Sequence, residues 1–374
     1  MNLDSLDGYP AVDPSDALGD VESSGRQWAH AGELADQRAD LTDIDAIVVT
    51  GMGGSGIGGD VLRQLAAGWA VWPIVVHKGY GLPAFVGPRT LVVATSYSGN
   101  TEETLSAFSE AGRRGARRLA ITSGGMLAAC CDAEGVPSVR VPGGGQPRHS
   151  LGYLLVPALV ALRLDDGIAE AVQQLTGMTE ALGRNVPVSA NPAKRLAQRL
   201  AGSGGVPLLL GSQGLAGVAA YRLKCQLAEN AKLPAICSEL PEADHNEVVA
   251  WQEPGPVSGG GGLISLRDRD GEHPRMRRRF EVTTELLDER FAWQAELVAT
   301  GTSPLARLAS LVLYADLVSV YTALALDRDP TPVRSIDLLK TALASPPQPR
   351  GGGDPLPNQY RIPTTQREPG AGRR

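Results

Sequence analysis

Gly51-Met52-Gly53-Gly54-Ser55-Gly56-Ile57-Gly58-Gly59, directly after the apolar run Ala46-Ile47-Val48-Val49, decides how this chain is read. A second break follows the run Leu91-Val92-Val93-Ala94 and reads Ser96-Tyr97-Ser98-Gly99-Asn100-Thr101-Glu102-Glu103-Thr104. Each apolar run predicts a buried strand, and each break leads into a helical pattern. Where a strand gives way to glycines and a helix start, backbone N–H groups point outward and can hold an anion. The second break adds hydroxyls at Ser96, Ser98, Thr101 and Thr104, and neither break contains Lys or Arg. Neutral donors in such numbers suit a phosphate ester that must be released again.

Working outward, short apolar strands alternate with helices. Strands are expected at Ala46–Thr50, Ile74–His77, Leu91–Ala94, Leu119–Thr122 and Val139–Val141, with helices near Asp60–Ala67, Glu103–Glu110 and Met126–Glu134. That alternation predicts an α/β fold, a doubly wound parallel sheet with right-handed crossovers. Helices at Ser150–Leu164 and Ile168–Leu182 follow, and Asn185–Pro192 is the best linker candidate. From Leu208-Leu209-Leu210-Gly211-Ser212-Gln213-Gly214 the pattern repeats. A long helix is expected at Leu215–Lys232, a loop at Val257–Gly262, a strand at Leu263–Leu266, and helices at Glu281–Leu287 and Pro304–Leu326. The repeat reads as an internal duplication. Residues 1–42 form an acidic, partly helical segment, and the Pro/Gly/Arg-rich tail from Ser345 is expected to be disordered.

Bulk properties exclude several classes. A net charge of −6 and no large basic cluster argue against nucleic acid as a partner. The start, Met1-Asn2-Leu3-Asp4-Ser5-Leu6-Asp7, lacks the shape of a signal peptide. The apolar stretch Leu305–Leu326 is interrupted by Arg307 and Asp316, and reads as an amphipathic helix rather than a membrane span. Cys130, Cys131, Cys225 and Cys237 fit neither zinc spacing nor a disulfide framework. A soluble cytoplasmic protein is expected. Lysine is scarce, with only Lys78, Lys194, Lys224, Lys232 and Lys340, so each is a candidate for a special duty.

Gly51-x-Gly53-x-x-Gly56 also satisfies a dinucleotide-binding fingerprint. That reading wants an acid at the end of the second strand, where this chain has His77-Lys78. Only a 2′-phosphate cofactor tolerates the lysine. Plain tight turns would explain the glycines but not the clustered hydroxyls.

The two motifs together resemble the sugar-isomerase (SIS) domain. Within that superfamily the chain is similar to the bifunctional phosphoglucose/phosphomannose isomerases, over residues 45–345. The resemblance implies two SIS-type domains, set here at 43–185 and 193–344, each a parallel sheet flanked by helices. It implies an enzyme interconverting glucose 6-phosphate, and mannose 6-phosphate, with fructose 6-phosphate through an enediol, without metal or organic cofactor. Gly53, Gly54, Ser55, Ser96, Ser98 and Thr101 would then hold the sugar phosphate.

Aldose–ketose chemistry needs a carboxylate to carry a proton between C1 and C2, an acid/base at the ring oxygen, and a cation for the enediolate. The resemblance assigns the shuttle to Glu229, in Gln226-Leu227-Ala228-Glu229-Asn230-Ala231-Lys232. It assigns ring opening to His245, contributed across the interface of a homodimer with shared active sites, assisted by Lys340. Arg148, in Gln146-Pro147-Arg148-His149-Ser150, would stabilise the enediolate. Arginine at a helix start opposes the macrodipole, which hints at a purpose beyond helix stability. A metal at His245 with Glu242, Asp244 and Glu247 is disfavoured, because no second His stands at helical spacing. One departure is evident: the family's hydroxyl residue about seven positions before the lysine falls here on Val333, between Thr331 and Ser335. A non-catalytic sugar-phosphate sensor and an amino-sugar isomerase are the rivals. The first is expected to bring a helix-turn-helix and the second an amidotransferase domain, and neither is read here.

Overall fold

The computed structural model describes residues 1–68, 70–253 and 260–343. The tail from Ser345 and the first half of the expected loop at Val257–Gly262 lie outside the described residues. Met1–Thr331 forms one compact unit, and the described residues from Pro332 to Leu343 belong to a second.

Three helices open the first unit: α1 (Tyr9–Val12), α2 (Ala17–Glu22) and α3 (Ser24–Leu34). Then β1 (Ala46–Thr50), α4 (Gly53–Ala66), β2 (Ile74–His77), β3 (Thr90–Thr95), α5 (Glu102–Arg113), β4 (Arg117–Thr122), α6 (Gly125–Glu134) and β5 (Ser138–Arg140) build a five-stranded sheet. Helices α7 (Leu151–Ala161), α8 (Ile168–Leu182) and α9 (Pro192–Ala201) lead to the second half. There β6 (Leu208–Ser212), α10 (Leu215–Gln226), β7 (Ile236–Leu240), α11 (Glu247–Gln252), β8 (Gly262–Arg267), α12 (Pro274–Leu286), β9 (Trp293–Val298) and α13 (Pro304–Ala325) follow. In the second unit, α14 spans Arg334–Leu343.

Every strand pair described is parallel. The sheet orders are β2-β1-β3-β4-β5 and β7-β6-β8-β9, so the first strand of each half has its successor on one side and its third strand on the other. This shared order is the structural form of the duplication read in the sequence. A strand order that reverses direction opens a crevice at the carboxyl ends of the two central strands. In the first sheet those are β1 and β3, the strands that end in the two quoted motifs.

Alternation along the strands separates two faces. Ile47, Val49, Leu91, Val93, Leu119 and Ile121 face the main core, while on the other face Val48 and Val92 pack with Val86, Ala111 and Ala116, and Ala94 and Ala120 with Phe108 of α5 and Leu127 of α6. In the second sheet Leu209 and Ile264 enter the same main core, and Leu208, Leu210 and Leu263 pack with Met276 and Phe280 of α12. Helices therefore cover both faces of each sheet, and a single apolar core joins the halves. The acidic N-terminal segment is part of it: Leu3, Leu18 and Trp28 are buried there.

Four expectations need correction. The glycine motif is not a turn ahead of a helix at Asp60, because α4 begins at Gly53. Its glycines serve close approach instead: a Cβ on Gly59 would stand 3.0 Å from Val76 and 3.1 Å from Val49. Helix α13 is not amphipathic but buried on every side, with only Pro304, Tyr314 and Ala325 reaching the surface. Its two charges are neutralised internally, Arg307 by Asp268 and Asp316 by Arg222. The expected helix at Glu281–Leu287 starts at Pro274, with a proline in its first turn and His273 accepting from Arg275 N. Finally, Leu215–Lys232 is not one continuous α-helix.

Candidate functional site

The two motifs meet at the crevice between β1 and β3. Thr95, the last residue of β3, donates its hydroxyl to the Thr50 and Ser55 carbonyls at 3.2 and 2.9 Å. Tyr97 N donates to Ser55 Oγ at 3.2 Å. Ser96 Oγ and Thr101 Oγ1 bond each other at 2.9 Å, and Ser96 Oγ also accepts from Gly99 N. Thr101 stands at the N-cap of α5 and Met52 at that of α4, yet neither side chain caps its helix. Two adjoining helix starts thus keep first-turn N–H groups without a side-chain acceptor, the electrostatic setting an anion needs. Gly53, Gly54 and Ser55 lie in the first turn of α4, and Ser96, Ser98 and Thr101 between β3 and α5, the two segments that meet at this crevice as a neutral cradle. Ser55 and Ser96 are buried and Ser98 is exposed.

Gly54 connects the cradle to Arg148. A Cβ there would stand 2.8 Å from the Pro147 carbonyl oxygen and 2.9 Å from Arg148 N, so only glycine lets the Pro147–His149 turn lie against α4. Arg148 is buried, with 3% of its surface exposed. Its Nε donates to Asn230 Oδ1 at 2.7 Å, and its Nη2 to the Pro330 and Thr331 carbonyls at 2.9 and 2.8 Å. Nη1 donates to Gln146 Oε1 at 3.2 Å and lies 3.5 Å from Glu229 Oε2. Burial pulls the guanidinium below its usual range, and the Glu229 carboxylate opposes that pull. Arginine remains charged under such a shift, so the site holds a fixed cation beside a half-buried carboxylate.

A local change of helix geometry brings Glu229 here. After Gln226 the helix widens into a π turn, Leu227–Ala231, and closes at Lys232 with φ +53°. The widening lets Asn230 face Arg148 while Glu229 stays partly open. Such π turns are frequent at functional sites. Lys232 Nζ donates to the Asn230, Asp329 and Pro330 carbonyls, fastening the 329–331 segment beside Arg148. Thr331 Oγ1 is buried there without a partner among the described residues.

A buried polar network supports this arrangement. Asp316 takes both Nε and Nη2 of Arg222, at 2.9 and 2.7 Å, and also accepts from Gln226 Nε2 at 2.8 Å. Arg222 Nη2 donates as well to the Arg148 carbonyl at 2.7 Å. None of Asn230, His149, Arg222, Asp316 or Thr331 is singled out by sequence reasoning as part of the site. Three of them had a signal: Asn230 and His149 stand next to Glu229 and Arg148 in the quoted motifs, and Thr331 flanks Val333.

The structure brings together the cradle, Arg148 and Glu229. It does not place His245 among them. His245 closes a short 3₁₀ turn, Glu242–His245, after β7, is exposed, and its imidazole makes no hydrogen bond or ion pair among the described residues. Lys340 stands on α14 in the second compact unit, as does Val333 ahead of it.

Residues 40–133 match the SIS domain, and residues 189–343 match the bacterial phospho-glucose isomerase C-terminal SIS domain. The chain is 40% identical over 309 residues to the bifunctional phosphoglucose/phosphomannose isomerase of Caldicellulosiruptor bescii, covering 81% of this chain and 90% of that one. It is 38% identical over 316 residues to the protein of that name from Aquifex aeolicus, covering 83% and 94%. The solved C-terminal domain of glucosamine-fructose-6-phosphate aminotransferase from Francisella tularensis shares the fold, with TM-score 0.66 at 14% identity over 87% of this chain and 99% of that one. With two SIS modules carrying the cradle and the Arg148–Glu229 pair, and identity at this level over nearly the whole length of its relatives, the chain belongs to the bifunctional phosphoglucose/phosphomannose isomerase family.

Proposed function

We propose that this chain interconverts glucose 6-phosphate and mannose 6-phosphate with fructose 6-phosphate. The observation that carries the reading is the Arg148–Glu229 pair, 3.5 Å apart and joined through Gly54 to a neutral anion cradle. The cradle holds the phosphate. Ring opening moves a proton from the O1 hydroxyl to the ring oxygen, by way of His245 and Lys340. Glu229 then takes the proton from C2, and electron density passes to O1, giving an enediolate that Arg148 stabilises. A proton then passes from the O2 hydroxyl to O1, and protonation at C1 by the same carboxyl, with C2–O becoming the carbonyl, completes the ketose.

His245 would enter from the partner of a homodimer, a role suited to an exposed, unpartnered imidazole on a protruding turn. The sheet-bearing halves are bounded at 43–185 and 193–344, and the protein works in the cytoplasm. The chemistry needs neither metal nor organic cofactor. Thr331, whose buried hydroxyl is unpartnered beside Arg148, fills the hydroxyl position that counting back from Lys340 gives to Val333. The test is an assay of the purified chain in EDTA, with each aldose phosphate supplied separately. Fructose 6-phosphate from both is expected; turnover of neither removes the proposal.

A further inference from the structure

We propose that His149 is a positioning residue for Arg148, acting through the carboxamide of Asn230; this rests on the assignment of Arg148 to the isomerase site. The hydrogen bonds fix which way the carboxamide points. Asn230 Nδ2 donates to Ser319 Oγ at 2.9 Å, and Ser319 Oγ gives its one proton to the Asp316 carbonyl at 2.7 Å. Ser319 must therefore accept, which assigns that side of the amide to nitrogen. Arg148 only donates, so the oxygen faces Arg148 Nε at 2.7 Å. The same oxygen lies 3.2 Å from His149 Nε2. His149 Nε2 carries the proton, and the imidazole and guanidinium of adjacent residues donate to one oxygen from two directions.

This arrangement restrains Asn230 about both its amide and its position. A carboxamide held only by Ser319 and Arg148 can swing with the guanidinium, whereas a third contact from a ring with 1% side-chain exposure fixes the oxygen in place. The far edge of the ring carries a second feature. His149 Nδ1 is buried with no hydrogen-bond partner among the described residues, and Asp20 Oδ2 of α2 lies 3.8 Å from it. A buried polar edge left unpaired is costly, so packing alone does not account for histidine here. What the ring supplies is the Nε2–H.

The experiment compares His149→Ala, His149→Gln and wild type by steady-state kinetics in both reaction directions, with thermal melts of each. Glutamine can set an amide nitrogen where Nε2 stands. His149→Ala is expected to lower kcat about fivefold to tenfold while KM for fructose 6-phosphate moves less than about twofold. His149→Gln should recover at least half of the lost kcat, and imidazole should partly rescue His149→Ala. Wild-type kcat in His149→Ala overturns the proposal. So does equal impairment of both variants without imidazole rescue, which would assign the loss to shape. Should His149→Ala fail to fold, His149→Gln against His149→Leu decides on the same readout. An inactive wild-type chain would instead remove the isomerase reading itself.

Discussion

Asp316, in the middle of α13, receives Arg222 of α10 in a two-pronged ion pair, and Arg222 passes a further hydrogen bond to the backbone carbonyl of Arg148. The pair is 3% and 6% exposed, so neither charge can turn to water. Removing one partner of a buried pair leaves the other uncompensated, at about 3–5 kcal/mol. Asp316→Ala should therefore lower stability by about that much in chemical denaturation and release the turn that carries Arg148. Arg222→Met combined with Asp316→Leu should regain most of the stability but not the activity, since the Arg148 carbonyl loses its short bond and keeps only the 3.4 Å contact from Gln226 Nε2. Full activity in the double variant would show that this anchor is not needed for catalysis.

Glu229→Gln keeps the size of the side chain and removes its basicity. Loss of a positioned general base costs about a hundredfold to ten-thousandfold in rate. The variant should show that loss in kcat with KM changed by no more than a few-fold, because the cradle is untouched. Near-normal kcat would take the shuttle away from Glu229.

Much of this fold is legible because buried parallel strands are written as continuous apolar runs, as in Ala46–Val49 and Leu91–Ala94. The strands not foreseen are β7 and β9. Ile236-Cys237-Ser238-Glu239-Leu240 and Trp293-Gln294-Ala295-Glu296-Leu297 lie at the two edges of their sheet and alternate with polar residues. The cradle is legible because its residues are consecutive. The rest of the site comes from distant segments: Asn230 bonds Arg148 across 82 positions and Arg148 reaches Thr331 across 183. The π turn is set by those tertiary bonds, so local sequence reads as plain helix. Lysine scarcity misleads in part. Lys194 is wholly buried and bonds the Leu3 and Arg184 carbonyls, and Lys78 pairs with Asp60, so both are structural anchors.

Thr331 and Val333 compete for one role. Thr331 offers a buried hydroxyl next to Arg148, and a site built to hydrogen-bond a substrate hydroxyl discriminates strongly when that bond is lost. Thr331→Val should change the ratio of kcat/KM for mannose and glucose 6-phosphate by about fivefold or more, while Val333→Thr should leave it within about twofold. The reverse pattern would hand the epimer decision to position 333.

Lys232 makes a prediction in pH. Burial, with Arg148 close by, draws its ammonium from 10.5 down to about 8, against the pull of Asp329 and Glu229. Between those two values the unfolded chain keeps a proton that the folded chain has released. Unfolding then takes up a proton, so the contribution of Lys232 to stability rises with pH across that window. Below about 8 the folded protein carries the charged side chain at a cost. Wild type and Lys232→Met should therefore be compared by denaturant titration at several pH values from 7 upward. The stability difference should move in favour of wild type as pH climbs through the window, then level off. A flat difference would mean that Lys232 titrates as a fully hydrated lysine and that the three-carbonyl clamp does not desolvate it.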